Sequence, residues 1–78
     1  MNKSRFQMIL ELKAAGLVEE WISFSNSTLQ EALHKVYNSK VYRVLEREET
    51  KLWHHSPQLL LGCLIQEVNT GLPVFPDE

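Results

Sequence analysis

The sequence predicts an all-α fold, a compact bundle of four to five short helices, on three observations. The first 56 residues hold no proline and one glycine, so little interrupts a helical backbone there. Apolar residues recur at three- and four-residue steps, the period of a helix with one buried face. Short polar breaks fall between these periodic stretches, and each break carries a residue able to cap a helix end.

Taken in order, Ser4 caps a first helix reaching about Ala15, with Phe6, Ile9, Leu10 and Leu12 inward and Glu11 and Lys13 outward. Gly16 is expected to end it, because glycine accepts the left-handed conformation of a C-cap. A second helix then covers about Leu17 to Phe24, with Val18, Trp21 and Ile22 on one face. Ser25-Asn26-Ser27 is a break, followed by a capping box made by Ser27 with Gln30 or by Thr28 with Glu31. The third helix runs to about Tyr37, burying Leu29, Ala32, Leu33 and Val36. Asn38-Ser39 is a tight polar turn whose Ser39 caps a fourth helix, about Lys40 to Glu48, with Val41, Val44 and Leu45 inward. Glu49 to His55 reads as a loop or a short extended piece. Ser56-Pro57 is the clearest boundary, serine at the N-cap and proline at the first helical position. The last helix carries Leu60, Leu61, Leu64 and Val68 and ends near Gly71. Residues 1–71 thus form one helical domain. Residues 72–78, with prolines at 73 and 76, form an extended tail that is either docked or frayed.

Composition narrows the functional classes. The chain has 78 residues, 44% hydrophobic and 23% charged, which is ordinary globular usage rather than that of a disordered or fibrous chain. The longest apolar run, Leu59 to Ile65, is far short of the ~18 residues of a spanning helix. No apolar signal segment is read at the N-terminus. A single cysteine, Cys63, cannot form an internal disulfide, whereas small secreted domains are usually stapled by several. The chain is therefore read as bacterial and cytoplasmic. At this size a core leaves little material to enclose a substrate as well, so binding is the default expectation.

Four kinds of site have candidate residues in the sequence. Lys40, Arg43 and Arg47 share one face of the fourth helix and Lys35 precedes them, as on the second helix of a helix-turn-helix. Against this stand a net charge of −2 and the acids Glu46, Glu48 and Glu49; a charged row is what any solvated helix face shows. His34, His54, His55 and Cys63 lack the spacing of a zinc motif, so no metal site and no cofactor are expected. Cys63 among leucines is a small hydrophobe rather than a nucleophile, and no nucleophile–base set is apparent, so no enzyme is expected. The aromatic residues carry the strongest signal. Tyr37 and Tyr42 flank the Asn38-Ser39 turn, and Trp53 stands in a polar segment, either as a lid pinned on the core or as a contact residue. The expectation is a protein-interaction module, for another protein or a second copy of itself. It uses Tyr37, Tyr42 and Trp53, with Lys40 and Arg43 orienting the contact at its rim. A small DNA-associated regulator using Lys35, Lys40, Arg43 and Arg47 is the alternative.

The stretch from Leu33 to Pro57 holds the most distinctive pattern: Leu33, Tyr37-Asn38-Ser39-Lys40, Tyr42, Leu45, Glu48-Glu49-Thr50-Lys51-Leu52-Trp53-His54 and Ser56-Pro57. It resembles a group of small uncharacterised bacterial proteins, some of which accompany toxin-like genes. The likeness covers about a third of the chain and brings no catalytic or ligand residues with it. It implies a helical bacterial protein acting as a protein-binding partner.

Overall fold

The computed structural model describes residues 4–76, and every described element is helical. Helix α1 spans Arg5–Ser25, α2 Leu29–Tyr37, α3 Lys40–Leu45 and α4 Pro57–Thr70. Two 3-10 turns, Glu48–Thr50 and Leu52–His54, link α3 to α4. The all-α bundle expected from the sequence is what forms, with four helices.

The helix ends follow from local chemistry. Ser4 Oγ accepts the Gln7 amide at 3.1 Å. Of the two capping boxes the sequence allows, Thr28 and Glu31 form the real one: Thr28 Oγ1 accepts from the Glu31 amide at 3.2 Å, and the Glu31 carboxylate accepts from the Thr28 amide at 2.9 Å. Ser39 is buried, yet both its roles are filled. Its hydroxyl donates to the Val36 carbonyl at 2.6 Å and accepts from the Tyr42 amide at 3.0 Å. Ser56 caps α4 by accepting from the Leu59 amide at 3.2 Å, with Pro57 in the first turn. At the other end Gly71, at φ 89°, donates to the Glu67 carbonyl at 2.7 Å.

The structure corrects three expectations about elements. Gly16 does not end a helix; α1 runs through it for 21 residues. Gly16 is instead a point of close approach, since a Cβ built there would stand 2.7 Å from Cγ of Pro57 on α4. The C-cap of α1 is Asn26, in the left-handed region at φ 58°. Helix α3 stops at Leu45 rather than Glu48, because Arg47 is extended at φ −97°, ψ 111°. The segment after it is not extended but folds into the two 3-10 turns.

One core joins all four helices: Leu17, Val18 and Trp21 of α1, Ala32 and Val36 of α2, Val41 and Leu45 of α3, and Leu60, Cys63 and Leu64 of α4, closed by Leu52. Phe75 of the tail packs against this cluster, while Leu72 and Val74 stay exposed; residues 77 and 78 lie outside the described residues. Four side chains expected inward lie outward: Leu12 (74% exposed), Leu29 (60%), Leu33 (39%) and Val68 (49%). In α2 the small Ala32 and Val36 face the core, which lets α2 approach α1 closely and turns its two leucines to the side.

Candidate functional site

The turn between α2 and α3 brings two of the expected contact residues together. Tyr37 ends α2 and Tyr42 lies in the first turns of α3; with Ser39 tying the two helices, their rings meet edge-on at 4.7 Å. Tyr37 is exposed and Tyr42 half-buried. Burial raises the Tyr42 phenol above its ordinary value, helped by Tyr37 and by the charges of Glu46 and Glu11. Tyr42 therefore stays a neutral hydroxyl in the physiological range.

Tyr37 also closes a row with Leu29 and Leu33, two side chains that the sequence predicts to lie inward. Leu29, Leu33 and Tyr37 stand four residues apart along α2, hence on one stripe, and all three are exposed. On α1, Met8 and Leu12 form a second exposed apolar pair one turn apart, with exposed Ala15 beside them. Glu11, beside this pair on α1, lines one depression with Tyr42. The sequence carried no signal for this row, because four apolar residues in two turns fit an ordinary buried face.

Trp53 lies apart from the tyrosine pair. Its indole N–H donates to the Glu48 carbonyl at 3.0 Å, its ring stacks on His54 at 4.1 Å, and Phe6 meets it edge-on at 5.8 Å. It is half-buried and packs on the core, which is the lid arrangement. Phe6 and Tyr42 share an open depression of about 600 Å³, also lined by Leu10, Glu11 and Glu46, and Trp53 is not among its lining residues.

The cations are distributed differently from the aromatics. Lys40 is exposed but engaged within the chain: its Nζ donates to the Gly71 carbonyl at 2.8 Å. The Glu67 carboxylate accepts from the Lys40 amide at 2.9 Å and from the Val41 amide at 3.1 Å. Arg47 pairs with Glu49 at 3.0 Å; a bond from Glu49's own backbone, and after it this pair, lowers the Glu49 carboxyl. Lys35 on α2 and Arg43 on α3 are exposed. Cys63 is buried, and desolvation pushes its thiol up, away from thiolate chemistry. Among the described residues no three His, Cys, Asp or Glu side chains gather as metal ligands. No described helix is long and apolar enough to cross a membrane.

The chain matches no family model, and neither the curated proteins nor the solved structures with which it was compared include a match.

Proposed function

We propose that this chain is a small, non-enzymatic protein-interaction module of the bacterial cytoplasm. Its contact surface is the row Leu29, Leu33 and Tyr37 together with Tyr42. The observation that carries the reading is that this row stays open to solvent after the core is complete and, among the described side chains, every buried polar atom has a partner. Scattered exposed apolar residues are ordinary, but a periodic row joined to an aromatic pair is the composition of a binding patch. The resemblance to proteins that accompany toxin-like genes supports the same class. Trp53 serves beside this surface by holding the 46–56 segment against the core, and Arg43 supplies a charge at its rim.

A nucleic-acid reading has less to stand on. Of the four cations it needs, Lys40 and Arg47 are engaged with local oxygens, and Lys35 and Arg43 sit on different helices.

The test is capture of partners by the immobilised chain against its Leu33→Glu variant, with helicity of both checked by circular dichroism. Partners held by the parent and lost by a folded variant are the expected result. Identical capture by both removes the α2 row as the contact surface.

A further inference from the structure

We propose that the depression between α1 and α3 receives an arginine side chain of the protein that docks on the Tyr37–Tyr42 surface, so that the partner presents a basic segment there. The inference rests on reading that surface as an interaction module and adds the chemistry of its partner. Helix α1 packs mainly on α2 and α4, and α3 mainly on α4, which leaves a gap where the first turns of α1 face α3. Phe6 and Leu10 stand one turn apart on α1, as do Gln7 and Glu11; Tyr42 and Glu46 stand one turn apart on α3 and its C-cap. All six line the gap.

The lining combines two chemistries. Phe6, Leu10 and Tyr42 are half-buried and give an apolar, largely aromatic wall. Glu11 and Glu46 bring carboxylates to it from opposite helices, and among the described residues no lysine, arginine or histidine lines it. Lys40, Arg43 and Arg47 lie close to Tyr42 and Glu46 in sequence, yet none of them lines the gap. A guanidinium suits this combination, because it stacks on an aromatic ring and presents a planar fork of N–H donors to a carboxylate. The wall is held in place beforehand: Tyr42 meets Tyr37 at 4.7 Å and Phe6 meets Trp53 at 5.8 Å, so little ordering is left to binding. At about 600 Å³ the depression has the size of a ligand cleft, and it is open to a side chain reaching in from a docked chain. Tyr42 belongs both to it and to the pair with Tyr37, the residue that ends the α2 row. A partner lying over Leu33 and Tyr37 therefore has the acidic gap at one edge.

The test is titration of the full chain, followed by amide chemical shifts, with a capped tetrapeptide alternating leucine and arginine. The same peptide with neutral citrulline for arginine, and spermidine as a free cation, are titrated beside it. The expected result is saturable binding of the arginine peptide, with shifts at residues 6–11 and 42–46, about five- to tenfold tighter than the citrulline peptide. Glu46→Lys, at an exposed position, removes that preference; Glu19→Lys makes the same change of net charge away from the gap and keeps it. No preference for the arginine peptide up to millimolar concentration, or a preference that survives Glu46→Lys with helicity intact, overturns the proposal. So does spermidine binding as tightly as the arginine peptide, which would make the depression a site for free cations. If captured partners are lost by Leu33→Glu but held by Glu46→Lys, the arginine site falls while the interaction-module reading stands.

Discussion

Gly16 and Gly62 both sit inside helices, and their surroundings give them opposite roles. Glycine in a helix costs about 1 kcal/mol relative to alanine. At Gly62 nothing lies within 4 Å of an added Cβ, so Gly62→Ala is expected to recover up to about 1 kcal/mol in urea unfolding. At Gly16 the Cβ meets the Pro57 ring at 2.7 Å, and a proline in the first turn of α4 cannot swing aside. Gly16→Ala should lower the urea midpoint despite its better propensity, because overpacking of this kind costs about 1–3 kcal/mol. Equal stabilisation by the two substitutions would mean that α1 and α4 are not held at this distance. Tyr42 carries a second residue-scale prediction. Its folded-state pKa is raised, so the folded chain holds the phenolic proton more tightly than the unfolded chain. The associated stability is fully present below pH ~10 and is lost as pH climbs through the raised folded value. Tyr42→Phe should flatten that alkaline decline in denaturation midpoints measured from pH 8 to about 11; an unchanged slope would assign the decline to other groups.

Between elements, the most telling contact is the reciprocal tie at the α3–α4 junction. Glu67 caps α3 through two amides, and Lys40 returns a bond to the last carbonyls of α4. A carboxylate on helix N–H groups and an ammonium on C-terminal carbonyls both complement the helix dipoles. Glu67→Gln keeps the shape but can present only one oxygen acceptor, and should cost about 1–2 kcal/mol in chemical denaturation. A cost below that of Thr28→Ala, an ordinary cap loss of about 1 kcal/mol, would show that the junction is no special tie. This junction also marks where reading the sequence stops. Caps such as Ser4, Thr28 with Glu31, Ser39, and Ser56 with Pro57 are legible because donor and acceptor lie within three residues of each other. Glu67 and Lys40 are 27 residues apart, and nothing local distinguishes them from solvated charges. The same limit explains Gly16, whose helical state is decided by Pro57, and Lys51, which takes φ 58° between two turns that no periodicity announces. The tyrosine pair was legible because a two-residue turn leaves the flanking rings little choice. The α2 row was not, since apolar spacing alone does not tell which of several adjacent faces the core will use.

At the scale of the whole molecule, a flat 78-residue bundle has a small margin of stability, a few kcal/mol, so peripheral contacts matter. Phe75 is one of them: half-buried on the core, it anchors a tail that has no regular structure of its own. Self-association, the form of the proposed module in which a second copy is the partner, would add a contribution that depends on concentration. When a dimer unfolds to two separate chains, each tenfold rise in concentration stabilises the folded state by about 1.4 kcal/mol per dimer, or about 0.7 kcal/mol per chain. For a domain of this length that corresponds to a rise in Tm of about 3–6 °C per decade. A parent that self-associates through the α2 row should therefore melt at a temperature that rises with concentration, whereas Leu33→Glu should show one Tm at every concentration. The Phe75→Ala variant separates the two contributions: its Tm should fall by a constant amount while the slope against concentration persists. A parent whose Tm ignores concentration would leave the fold as described but place all of its stability within one chain.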